Sequence, residues 1–126
     1  AIFNAVKHGD ARVKELARGM RYVADPRIAD LFTSPTRMLE ACSLGACGAD
    51  CDEHAALVAA LVGAVGFTTA LRAWGPAAKG DLTHVYAIAG MSKSRPQRWV
   101  ALDTSTPESY LGWEPPKGNV LNARVA

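Results

Sequence analysis

The chain has 126 residues, 49% hydrophobic and 21% charged, the proportions of an ordinary globular protein. That length is expected to form one domain, 1–126, with a core of its own. A net charge of +2 is too small to mark a nucleic-acid or acidic-membrane partner. The longest charge-free apolar stretch, 55–70, contains two glycines and two threonines and falls short of the ~20 residues a spanning helix needs. No basic segment followed by an apolar one opens the chain, so no secretory signal is expected. Three cysteines, Cys42, Cys47 and Cys51, lie within ten residues. An odd, clustered count is unlike a disulfide framework and fits a reducing compartment, although Cys42 and Cys47 can pair under oxidation.

In chain order, Asp10 is a candidate N-cap for a helix in which Val13, Leu16, Ala17, Met20 and Val23 recur at helical spacing. Asp25-Pro26 stops that helix and starts a short one through Ile28, Leu31 and Phe32. Ser34-Pro35 repeats the same logic for a helix carrying Met38 and Leu39. Residues 43–49, with Gly45 and Gly48, form a flexible approach to Cys51. From Cys51 to about Val65 the pattern predicts a helix that is polar in its first turn and apolar nearly all round beyond it, hence central. Gly63 within it suggests close packing, and Gly66 suits a left-handed C-cap. The period then changes to that of strands at 68–74, 83–89 and 98–102, separated by Gly, Pro, Ser and Asp turn chemistry. These predict an antiparallel meander packed on the central helix, with 119–125 as a last edge strand.

The chemistry concentrates in Gly48-Ala49-Asp50-Cys51-Asp52-Glu53-His54. A thiol at a helix N-terminus faces unpaired backbone N–H groups and the positive end of the helix dipole, and both favour the nucleophilic thiolate. Asp50, a good N-cap, and Asp52 and Glu53, suited to the first turn, bring charges that oppose it. His84 lies at the start of one predicted strand and Asp103 at the end of the next. Because strand side chains alternate, His84 shares a face with Tyr86 and Ile88, and Asp103 with Ala101 and Trp99. Neighbouring strands can therefore set His84 beside Asp103, the carboxylate taking one imidazole N–H and leaving the other nitrogen to Cys51. Cys51, His84 and Asp103 thus read as nucleophile, base and orienter, with the Cys51 backbone N–H as an oxyanion donor.

Other readings compete. Cys51 alone is a small buried hydrophobe, and Asp103 before Thr104-Ser105-Thr106-Pro107 is a turn cap. His54, three residues after Cys51, is a rival base, but an imidazolium is disfavoured in a first turn. Cys42, Cys47, Cys51 and His54 carry zinc-capable groups without the paired C-x2-C knuckles of structural zinc sites. Tyr22 is a second oxyanion candidate or a core aromatic. Trp74 and Trp99 read as core and edge packing, and Trp113 as a partly exposed lip.

The run Gly48 to Ala55, the helix ending at Gly66, Thr83-His84-Val85-Tyr86 and Trp99-Val100-Ala101-Leu102-Asp103-Thr104 together resemble the transglutaminase-like cysteine peptidase superfamily. The superfamily pattern is G-D-C-x-[DE], then H-[AV]-[WY], then W-x-x-[LF]-D-[PT]. The chain departs from it where Ala49 precedes Asp50-Cys51 in place of glycine. The resemblance covers about 21–116, and Tyr22 to Pro26, Ser34-Pro35 and Gly112 to Pro116 look most like small phage and prophage members. It implies an α+β, papain-like fold: N-terminal helices and a central buried nucleophile helix packed on an antiparallel sheet. Cys51, His84 and Asp103 would form a catalytic triad needing no metal or cofactor.

The activity so implied is hydrolysis of an amide or isopeptide bond through a thioester, on a peptide or protein substrate that includes peptidoglycan peptides as a class. The setting would be phage-associated, in the host cytoplasm or a virion, with no nucleic-acid or membrane partner. A transglutaminase using an amine acceptor and a non-catalytic phage assembly module retaining the fold are the alternatives.

Overall fold

The computed structural model describes residues 1–22, 34–43, 48–77, 82–91 and 98–124. Three helices are described: α1 (Ile2–His8), α2 (Pro35–Ser43) and α3 (Cys51–Ala64). Six strands accompany them: β1 (Arg21–Tyr22), β2 (Gly48–Ala49), β3 (Thr68–Gly75), β4 (His84–Gly90), β5 (Trp99–Leu102) and β6 (Asn119–Arg124). The short β1 and β2 pair in parallel, Arg21 opposite Gly48 and Tyr22 opposite Ala49. The other four form an antiparallel sheet in the order β5-β4-β3-β6, so β6 closes on the free edge of the β3-β4-β5 meander. The architecture is α+β, with α3 packed on the sheet.

Local chemistry sets both ends of α3. Asp50 takes an extended conformation and its Oδ1 accepts the Glu53 N–H at 3.2 Å, while Asp52 and Glu53 place negative charge in the first turn. At the other end Gly66 adopts φ 101°, its N–H donates to Gly63 O, and Phe67 N–H donates to Val62 O. That is the Schellman pattern, which glycine accommodates because it has no Cβ. In α2, the Arg37 N–H donates to the Ser34 hydroxyl at 3.4 Å, as the Ser-Pro start predicts.

The sheet separates two apolar clusters. On one face, Leu57, Val58, Ala59 and Val62 of α3 pack with Ala87, Ala89 and Leu102 of the sheet and with Phe3 and Val6 of α1. On the other, Tyr86, Ile88, Ala70 and Ala101 are buried, with Trp74 and Trp99 against them. The alternation along β4 is what sends 86 and 88 one way and 87 and 89 the other. Helix α3 is therefore central, covered by the sheet on one side and by α1 and α2 elsewhere.

Two expectations fail. No helix runs over 10–22; Val23 lies outside the described residues. Asp10 instead closes a turn, its Oδ1 accepting the Arg12 N–H at 2.9 Å and its backbone O accepting that of Val13. A single 3-10 turn, Lys14–Leu16, follows, and Gly19 (φ 76°) redirects the chain so that Met20 N–H donates to Val6 O. Leu16 and Met20 are buried as their spacing suggests, but from a folded-back loop. Asp and Ser side chains compete with helices in this way by bonding nearby backbone. Nor does Gly63 mark a close approach: a Cβ there would meet only Thr69 Oγ1, at 3.7 Å. The short helix expected at Ile28, Leu31 and Phe32, and most of the 43–49 approach, lie outside the described residues.

Gly63→Ala should therefore raise stability by about 0.5–1 kcal/mol, the helix-propensity gain. Gly118→Ala should lower it by about 1–3 kcal/mol, because its Cβ would lie 2.2 Å from Gly75 O. Urea melts of the two variants against the parent chain measure both signs.

Candidate active site

Cys51 begins α3 as the first residue after the Asp50 cap, half-buried, with its sulfur at the boundary between core and solvent. Its N–H belongs to the first turn, outside the reach of the helix's own i→i−4 bonding, and so points out of the helix end. The sulfur donates to Asp52 Oδ1 at 3.7 Å. Cys51 is a free thiol, whereas Cys42 is disulfide-bonded, the oxidised state the sequence allowed beside a reducing compartment. Cys47 lies outside the described residues.

His84 opens β4 and Asp103 follows the last residue of β5. The β4-β5 register pairs Ala87 with Leu102 and Ile88 with Ala101, so the continuation of β5 carries Asp103 onto the face of Tyr86 and His84. His84 Nε2 and Asp103 Oδ2 are 2.7 Å apart. Cys51 is close enough to this ring to act on its protonation, beside Asp103. The structure thus brings together all three residues picked out from the sequence.

Asp103 is 1% exposed and divides its work between its two oxygens. Oδ1 accepts the Ser105 N–H and the Ser105 hydroxyl, both at 3.0 Å, so Asp103 does cap the turn that follows it. Oδ2 accepts the Thr106 hydroxyl at 2.7 Å and faces His84. Turn cap and imidazole partner are one residue. Burial pushes the Asp103 carboxyl up, but the bonds to His84, Thr106 and Ser105 and the imidazolium charge outweigh it, and the group is held below its ordinary range. For His84, burial disfavours the charge, yet the hydrogen bonds to Asp103 and Cys51 and their charges prevail, and the imidazole is raised from 6.5 to about 9. At neutral pH the ring is therefore an imidazolium facing the Asp103 carboxylate.

The rivals settle elsewhere. His54 is buried and its Nδ1 pairs with Thr104 Oγ1 at 2.8 Å, tying α3 to the residue after Asp103. That role removes its Nδ1 from the thiol, and the disulfide at Cys42 takes that sulfur out of the zinc grouping. Among the described residues no cluster of three or more metal-ligating side chains forms. Tyr22 is 54% exposed rather than core, and β1 carries it alongside Ala49, two residues before Cys51. Trp113 is half-buried, and Trp74 donates its Nε1–H to Pro116 O. An apolar cavity of about 570 Å³ opens at Val62, Val65 and Phe67, roughly 16–21 Å along α3 from Cys51 at 1.5 Å per residue. It is separate from the site.

The residues the sequence did not single out are Ser109 and Lys7. Ser109 donates its hydroxyl to Asp103 O at 2.5 Å, and Lys7 Nζ bonds Ser109 Oγ at 2.6 Å. No local spacing could have joined Lys7 to a turn about a hundred residues away. No helix of the described residues is long and apolar enough to cross a membrane. No family model, curated protein or solved structure matches this chain.

Because the folded chain binds the His84 proton more tightly than the unfolded chain does, this group stabilises fully below about pH 6.5, and its contribution is lost as pH rises through about 9. Unfolding free energies measured in urea between pH 6 and 10 should show the parent losing stability relative to His84→Gln across that window. A difference between the two that does not change with pH would contradict the raised titration.

Proposed function

We propose that this chain is a cysteine hydrolase of the transglutaminase-like kind, with a papain-like arrangement of nucleophile helix and sheet, cleaving an amide or isopeptide bond. The observation that carries this reading is the His84 imidazole bonded through Nε2 to the buried Asp103 carboxylate, with Cys51 near enough to act on the same ring. The Cys51 thiolate attacks the substrate carbonyl carbon, and the Cys51 backbone N–H stabilises the oxyanion that forms. The protonated His84 then gives its proton to the leaving amine as the C–N bond breaks, and a thioester remains on the sulfur. Water, deprotonated by the now neutral His84, attacks the thioester carbonyl and releases the acid and the thiolate. Asp103 keeps the ring oriented and stabilises its charge throughout.

Cys51 and His84 are both only partly buried, so water reaches the acyl-enzyme. That favours hydrolysis over transfer to an amine. Peptide and protein chains, including peptidoglycan peptides, are the substrate class, in keeping with the resemblance to phage and prophage members. No step calls for a metal or an organic cofactor.

Iodoacetamide should alkylate Cys51 at pH 7 about tenfold or more faster in the parent than in His84→Ala, with site assignment by mass spectrometry. The disulfide at Cys42 removes that sulfur from competition. Equal slow labelling in both proteins would overturn the hydrolase and leave the assembly module that keeps the fold without turnover.

A further inference from the structure

Asp103 lies beyond the last ladder pair of β5, so strand pairing no longer holds it. Its carboxylate is shaped by Ser105 and Thr106, which belong to its own turn and move with it. The turn therefore needs anchors outside itself. One is His54, which fixes Thr104. The other comes from α1: Lys7 Nζ donates to Thr106 O at 2.9 Å, to Pro107 O at 3.2 Å, to Ser109 Oγ at 2.6 Å and to Ser109 O. Ser109 Oγ in turn lies within donating distance of both Asp103 O and Thr106 O, which share its one hydrogen. Three ammonium hydrogens shared among four acceptors on 106–109 make a dense clamp, and charge-assisted bonds of this kind are stronger than neutral ones. The base of the clamp is firm, since neighbouring Val6 is fully buried and its carbonyl accepts the Met20 N–H.

Resting on the cysteine-hydrolase reading of the site, we propose that Lys7 is a positioning residue that sets the orientation of Asp103 toward His84 by clamping the 106–109 turn. Lys7 touches neither His84 nor the reacting sulfur. It acts through Ser109 and the turn carbonyls, and its charge also faces Asp103 and Glu108. The other titratable groups around the pair are Cys51, Asp52 and His54 on α3 and Tyr86 on β4, whose ring lies 5.8 Å from that of His84.

The sign of one measurement separates clamping from simple charge. Removing a nearby positive charge, with nothing moving, would make His84 easier to protonate and raise its midpoint. Releasing the turn would weaken the bond to Asp103 and lower it.

The experiment is an NMR titration of 15N-histidine-labelled protein, His84 being assigned from His84→Gln, in the parent, Lys7→Met, Lys7→Arg and Ser109→Ala. The expected result is a His84 midpoint about one pH unit or more lower in Lys7→Met and Ser109→Ala, recovered in Lys7→Arg. Cys51 alkylation should slow in parallel with it. An unchanged midpoint in Lys7→Met and Ser109→Ala, or a raised one in Lys7→Met, would overturn the proposal. Should Lys7→Met not fold, Ser109→Ala carries the same question, because it cuts the relay while leaving the ammonium in place. Slow Cys51 labelling in the parent, insensitive to His84→Ala, would sink the hydrolase alone, since the midpoint reads the His84–Asp103 pair without any thiol chemistry.

Discussion

The arrangement of the site depends on the register between β4 and β5. Ala87 opposite Leu102 places Asp103 on the face of His84. A slip of one residue would turn the carboxylate toward α3 and point Leu102 away from the core. Burial enforces the choice: Leu102, Ala87 and Ala89 pack beneath α3, while Ala101, Ile88 and Tyr86 fill the other face. The apolar core thus decides which polar groups meet, and the buried carboxylate then finds partners for both oxygens in its own turn. Among the described residues no buried side-chain nitrogen or oxygen lacks a partner.

The face of the sheet opposite α3 is closed by the segment leading into β6. Arg72 on β3 bonds Glu114 and, at 2.9 Å, the Asn122 side chain, and the Tyr86 hydroxyl donates to Glu114 at 3.1 Å. Burial and the Glu114 charge raise Tyr86 to about 12, so it stays a neutral donor beside His84. Gly118 lets this segment run against Trp74 and the Gly75 carbonyl, where any side chain would collide. The imidazole therefore sits at the rim of a face lined by aromatic groups and covered by chain, and its open side is toward Cys51 and solvent.

The parts legible in the sequence were those governed by local rules. The Asp50 cap, the acidic first turn and the apolar body announced α3, and alternation announced β3, β4 and β5 and put His84 and Asp103 on a shared face. The region 10–22 misled because Leu16 and Met20 are four apart in a compact loop as well as in a helix, and the Asp10 side chain decides for the loop. The helix α1 went unannounced: seven residues carry too little periodicity, and its stability comes from Phe3 and Val6 in the core. The long-range polar links of Lys7 to the 106–109 turn and Arg72 to Glu114 have no sequence signature, because each needs the whole fold to bring its partners together.

The link between Lys7 and Ser109 spans 102 residues. Helix α3 and the β3-β4 hairpin close short loops and can form early, whereas this contact must wait until nearly the whole chain has been threaded into place. The anchoring of the 106–109 turn on α1 is thus a long-range contact that local elements do not need in order to form. The buried carboxylate beside His84 therefore takes its support from both ends of the described fold, so local unfolding of either α1 or the 106–109 turn would reach the imidazole.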